Sequence, residues 1–225
     1  MNRRGVWVSL LILLSSMSLG SLSLDVSAAG GTGGWGGSWA KTEVLRAESL
    51  GQEAAPAFSP VWCGAVGMEW RVLPRLSMGG LLGVGVWSGS LFLRDDELPS
   101  SLSTVESVAV EAGLRTAYYF SSRGEGWFFG GALGAGILPG SVVTTSRWED
   151  VEVAASHVVE GSRLFPWGGV ETGWRFSLPG RWSLEAFFAG HLALLWWDEG
   201  GGMSVAWRAL GGARISVALE SGGGS

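Results

Sequence analysis

The sequence predicts an all-β fold: a transmembrane, up-and-down antiparallel β-barrel of about eight strands. Three observations predict it. The chain is apolar, with 47% hydrophobic and only 16% charged residues in 225 and a mean hydropathy of +0.29. Beyond residue 28, however, it holds no run of eighteen apolar residues from which a spanning helix could form. Such a chain must hide its apolar side chains by alternation, and the alternation is the second observation. Four runs end on an arginine at one phase of a two-residue period: Gly67-Met68-Glu69-Trp70-Arg71, Glu111-Ala112-Gly113-Leu114-Arg115, Glu171-Thr172-Gly173-Trp174-Arg175 and Leu210-Gly211-Gly212-Ala213-Arg214. In a strand one face would carry Met, Leu and Trp and the other Gly, Glu and Arg. Third, the aromatic residues gather at the ends of these runs.

The elements follow in chain order. Arg3 and Arg4, the apolar stretch Val6–Leu14 and the small-residue site Val26-Ser27-Ala28 read as a cleaved secretory signal over residues 1–28, exported by Sec. The barrel is expected over 29–220 and a flexible tail over 221–225. Seven strands read clearly, at about Val61–Leu73, Leu76–Leu93, Ser103–Phe120, Trp127–Val143, Val159–Leu178, Trp182–Trp197 and Met203–Leu219. Short turns carrying Pro, Gly or Arg alternate with longer polar connections. Bacterial single-chain barrels have an even number of strands, so an eighth must precede Val61. The expected segment is Trp35–Leu45, although Lys41 and Glu43 fall in phase with Trp35 and Trp39.

Soluble barrels alternate too, so the outward face needs an argument. One phase carries Trp62, Val66, Met68 and Trp70, then Leu82, Val84 and Val86, then Leu133, Ile137, Leu184, Phe188, Leu192 and Leu194. The other carries Gly79, Gly83, Gly85, Gly130, Ala132, Gly134 and Gly136 together with the glutamates and arginines. An eight-stranded barrel has an interior just wide enough for side chains, and small residues there make room for long charged ones. On a water-facing wall a row of glycines would only weaken the strands. The apolar phase therefore faces lipid. Trp62, Trp70, Trp127, Trp174, Trp182, Trp196 and Trp207 are expected to form girdles at the two membrane interfaces.

The candidate site is the inward charge network of Glu69, Arg71, Glu111, Arg115, Glu171, Arg175, Glu185, Arg208 and Arg214. It reads as a paired structural filling, because unpaired buried charge is too costly. If the barrel conducts, this layer is the constriction. No catalytic residues are assigned. His191 shares a face with Ser183 and Glu185, and His157 follows Ser156, but neither set has the orienting partners of nucleophilic catalysis. Two dispersed histidines and the lone Cys63 make no metal site, and no cofactor is implied. A net charge of −5 argues against nucleic acid as a partner.

With this alternation, these girdles and these turns, the chain resembles the small eight-stranded outer-membrane barrels, the OmpX, OmpA-barrel and OmpW-like group. The resemblance covers most of the mature chain and is one of architecture. One departure is the end, Val217-Ala218-Leu219-Glu220 and a Gly/Ser tail, in place of a terminal aromatic residue. The resemblance implies a monomer in the outer membrane of a diderm bacterium. Its implied partners are outer-membrane lipids, the barrel-assembly machinery and periplasmic chaperones. In function it implies a small channel for hydrophobic or small solutes, as in the OmpW-like members. The alternative is a structural or host-interaction protein with a plugged lumen, as in the OmpX-like members.

Overall fold

Eight strands close into a ring, and their order around it follows the chain. The computed structural model describes residues 22–94, 101–138, 143–148, 151–153, 163–196 and 202–219. The elements are β1 (Leu22–Gly37), α1 (Ser38–Ser49), β2 (Glu53–Ala57), β3 (Ser59–Leu73), β4 (Leu76–Arg94), β5 (Ser101–Tyr119) and β6 (Gly126–Leu138). They continue as β7 (Val143–Trp148), β8 (Val151–Val153), β9 (Arg163–Ser177), β10 (Trp182–Trp196) and β11 (Met203–Ala218). Strands β1, β3, β4, β5, β6, β9, β10 and β11 form the ring, each antiparallel to both neighbours, and β11 returns to β1. Closure leaves the ring without an edge strand. β2 extends the ladder of β4, β7 that of β5, and β8 pairs with β7. With α1, these short elements lie at the long-loop end.

The register fixes the shape. From Asp25 on β1 the path of paired residues runs through Gly67, Leu81, Gly113, Gly134, Trp167, Ala193 and Ala206, and comes back to β1 at Trp35. The return lies ten residues beyond the start, 35 against 25. That stagger over eight strands tilts them by about 40° and sets a backbone radius of about 8 Å. At the short-turn end the turn between β9 and β10 is Leu178-Pro179-Gly180-Arg181, with Gly180 at φ 79°. Proline followed by glycine at positive φ is the pattern of a type II turn. The Leu219 amide donates to the Leu22 carbonyl at 2.7 Å, so both described ends of the chain meet here.

The apolar phase is on the outside. Leu133 is 74% exposed, Phe188 72%, Leu192 58% and Val66 55%. Val86, expected on this face, is instead buried, just past the Cys63–Gly85 pair where the β3–β4 ladder ends. A wall this apolar, with charges inside, is the inverse of a soluble barrel and fits lipid.

The expected strands from Val61 onward correspond to β3, β4, β5, β6, β9, β10 and β11. The expected first strand does not hold. Trp35–Leu45 contributes only its first residues to a strand, and Ser38–Ser49 is α1. The first strand lies earlier, over Leu22–Gly37, with Leu24 and Val26 turned outward and Ser23, Asp25 and Ser27 inward. Lys41 and Glu43 break a two-residue alternation but are tolerated on a helix. This helix ends on Gly51 at φ 76°, where amides of 50–52 cap the carbonyls of Ala47 and Glu48.

The start of the barrel therefore moves from 29 to 22. Cleavage after Ala28 would remove seven residues of β1, 22 through 28, of which 23 through 28 pair on both sides with β3 and β11. A second small-residue site, Ser18-Leu19-Gly20, stands just ahead of the strand. If residues ahead of the strand are a cleaved signal, N-terminal sequencing of the mature protein is expected to read from Ser21. A start at Ala29 would mean that the mature chain closes its ring without that half of β1. The expected tail over 221–225 lies outside the described residues.

Candidate functional site: the barrel interior

The inward phase fills the lumen in two tiers. At the short-turn end Glu69 (β3), Arg115 (β5), Glu171 and Arg175 (β9), Glu185 (β10) and Arg214 (β11) converge, all buried. Arg115 is the hub, and it spends three nitrogens on three carboxylates from three strands. Nε donates to Glu171, Nη1 to Glu69, and Nη2 to Glu185 at 3.1 Å. Glu185, fully buried, also accepts from Arg214 and from the Tyr119 hydroxyl at 2.7 Å. Arg175 Nη1 donates to Glu69 at 2.9 Å and Arg214 Nη2 to Glu171 at 3.2 Å. Asp25 stands at the edge, 3.8 Å from Arg214.

The second tier lies nearer the long-loop end. Arg208 holds Glu111 in a two-toothed pair at 2.9 and 2.6 Å, and the Trp87 indole donates to the same carboxylate at 2.6 Å. Arg208 Nε donates to His191 Nδ1 at 3.0 Å, which leaves the imidazole proton on Nε2. Above it, Trp35, Trp87, Phe165, Trp167, Leu138 and Leu195 pack into one buried apolar cluster. Each interior arginine also lies over an aromatic ring: Arg115 on Phe128 at 5.5 Å, Arg175 on Tyr119 at 5.1 Å, Arg208 on Trp87 at 4.1 Å and Arg214 on Phe187 at 4.9 Å. Four buried guanidiniums thus have both a carboxylate and a ring, the condition under which such burial is tolerable.

Glycine makes the space. A Cβ on Gly85 would come 2.4 Å from Arg208 Nη1, one on Gly134 2.7 Å from the Trp167 ring, and one on Gly136 2.3 Å from the Phe165 ring. Gly169 does the same for His191 at 2.3 Å. At these four positions the missing side chain makes room for a neighbouring one, while at Gly79, Gly83 and Gly130 the nearest contact is with backbone of the adjacent strand.

Eight of the nine expected network residues meet here. Arg71 does not. It sits at the short-turn mouth, its Nη1 donating to the Arg123 carbonyl at 3.1 Å. The pairing also differs from the spacing along each strand. Residues four apart on a strand are about 13 Å apart and point the same way, so Glu111 and Arg115 reach across the lumen to other strands instead. The interior set gains three members that sequence reasoning missed: Asp25, Trp87 and Tyr119. Trp87 continues the inward phase of Gly83 and Gly85, and Tyr119 that of Arg115, so phase counting would have found both. Asp25 fell within the expected signal.

Of the residues expected in girdles, Trp62, Trp127, Trp174, Trp182 and Trp196 are 46–53% exposed, and Trp70 and Trp207 are half-buried. Trp127 and Trp174 meet edge to face at 6.4 Å at the short-turn end, as do Trp207 and Phe58 at 6.0 Å at the other. His191 and Ser183 lie eight residues apart on β10, about 26 Å along the strand, and Ser183 accepts from Arg175. They do not form a catalytic pair. His157 lies outside the described residues. Cys63 is free and half-buried on the inward phase. Among the described residues no cluster of His, Cys, Asp and Glu has the form of a metal site.

Ring, tilt, apolar wall and paired interior charges define a small transmembrane β-barrel with a filled lumen. No protein-family model and no curated protein matches the chain. Among solved structures, Neisserial surface protein A aligns at 12% identity and a TM-score of 0.40, over 88% of this chain and 97% of its own. OprG of Pseudomonas aeruginosa aligns at 10% and 0.37, over 89% and 97%. Ail of Yersinia pestis, solved with the heparin analogue sucrose octasulfate, aligns at 10% and 0.36, over 87% and 99%.

Proposed function

We propose that this chain is an outer-membrane barrel of a diderm bacterium that works through its outer surface, as a structural or host-facing protein, and passes no solute through its lumen. One observation carries the reading: the interior is occupied at two successive levels, by the Arg115 hub and by the Glu111–Arg208–Trp87 group beneath a packed aromatic cluster. A barrel of about 8 Å backbone radius has no room beside such side chains for a diffusion path. In this reading the short turns face the periplasm, and α1, β2, β7 and β8 raise additional structure on the outer side.

The channel reading for small hydrophobic solutes retains one supporting feature. The lipid-facing wall is hollowed where Gly190, Ala209 and Gly211 lie between Phe129, Val170 and Phe188. A solute could rest there, although the ladders on both sides are continuous.

Planar-bilayer recording of the refolded barrel separates the two. The expected result is no stepwise current from the native chain, and current appearing only when Arg115 and Arg208 are both replaced by Ala. Steady single-channel steps from the native barrel, or uptake of a small hydrophobic solute that depends on it, would overturn the closed reading.

A further inference from the structure

The arginine that left the network opens a different question. At the short-turn end a cavity of about 200 Å³ is lined by Arg71, Arg123, Arg175, Arg181, Ser183 and Trp182, among others. The one acidic residue in its wall, Glu69, is already held by Arg115 and Arg175. Each of the four interior arginines meets a carboxylate. Arg71 and Arg123 meet none among the described residues. Nor is Arg71 a loose surface side chain. Its Nη1 is tied to the Arg123 carbonyl, and the turn closes over its guanidinium: a Cβ on Gly124, at φ 71°, would fall 1.9 Å from Nη2. A side chain at that position would be strained by the positive φ and would have to push the guanidinium aside, so the turn packs against a charge that it does not neutralise.

Position identifies the ligand. Trp182 lines the cavity and is half exposed on the outer wall, while Trp127 and Trp174 stand at the same end of their strands. Such girdles mark headgroup depth, so the cavity opens where lipid phosphates lie. Guanidiniums fork onto phosphate oxygens, and Trp182 and Leu178 offer an apolar wall beside them.

We propose that this mouth is a binding site for the phosphate group of a phospholipid from the periplasmic leaflet, clasped by Arg71 and Arg123 over Arg175, with the acyl chains running down the wall past Trp182. The inference rests on the barrel spanning the membrane, and not on whether its lumen conducts.

Native mass spectrometry of the full barrel in a maltoside detergent tests it, with dioleoyl-phosphatidylglycerol as the probe. The controls are dioleoylglycerol, which lacks the phosphate, and inorganic phosphate as a competitor. One phosphatidylglycerol is expected to stay bound, and dioleoylglycerol to bind far more weakly. Arg71→Gln with Arg123→Gln should weaken the lipid roughly tenfold to thirtyfold through the loss of two surface charges, and Lys at both positions should restore part of that. Arg123→Gln alone, in an exposed turn, keeps the test available if the double variant does not fold. Heat-modifiable gel migration reports that folding. Equal binding by the Gln variants, or by dioleoylglycerol, overturns the site. Full displacement by inorganic phosphate at equal concentration overturns the lipid as its occupant. Current through the native barrel would overturn the closed lumen and leave this result standing.

Discussion

Replacing Arg115 by Met is expected to destabilise the refolded barrel by about 3–5 kcal/mol, the range for removing one partner from a buried ionic group. The reason is arithmetic among neighbours. Glu69, Glu171 and Glu185 all point at this guanidinium, and none is more than 7% exposed. Without it, Arg175 and Arg214 remain for three carboxylates, and like charges are left facing one another. Urea titration in detergent micelles, followed by gel shift and tryptophan fluorescence, measures the change in midpoint. Arg115→Lys should fall between the two, because an ammonium keeps the charge but not the three-way fork. A contrasting pair sharpens the point: Arg208→Met alone should cost more than Arg208→Met with Glu111→Leu, since the double change leaves no orphaned charge. A loss below about 1 kcal/mol for Arg115→Met would mean that water reaches the hub.

The second large effect is on the other face. Leu133 is 74% exposed in the middle of β6, and its neighbour Gly134 faces the Trp167 ring. If lipid covers this wall, Leu133→Arg should cost about 2–4 kcal/mol, as a cation does near the midplane of a barrel exterior. If water covered it, the same substitution would fall within about 0.5 kcal/mol of neutral. Unfolding in phospholipid bilayers decides between these outcomes, and a neutral result would reverse the inside-out reading of the fold.

How much of this was legible follows from what alternation can and cannot encode. Period two assigns a residue to a face, and that sufficed to place Glu69, Arg115, Arg175 and Arg214 in the lumen and Leu133 outside. It says nothing about which inward residues meet, because that depends on stagger and curvature, which appear only when the ring closes. Thus Glu111 shares a face of β5 with Arg115 and is the partner of Arg208. The first strand was hidden for another reason. Leu22, Leu24 and Val26 alternate with Ser23, Asp25 and Ser27, but they adjoin an apolar stretch that is equally rich in leucine and serine and reads as a signal in sequence. Arg71 carried the right phase and the wrong depth: at a strand end, two residues past Glu69, the inward direction opens onto the mouth.

The way the hub is assembled also has a consequence for how the barrel enters a membrane. Its ion pairs join strands far apart in the chain, from Glu69 on β3 to Arg175 on β9 and from Arg115 on β5 to Glu185 on β10. Within a hairpin only Glu185 finds partners, Arg214 across β10–β11 and Arg175 across β9–β10, while Arg115, Glu69, Glu111 and Glu171 pair with strands outside their own hairpins. A strand pair crossing the bilayer alone would carry naked charge into hydrocarbon, at several kcal/mol per group. Insertion is therefore expected to be coupled to closure, because most of these charges find their partners only when the ring shuts. Such long-range pairing makes for slow folding. The core of this protein thus bears on how it inserts, even though its surface is what meets the lipid.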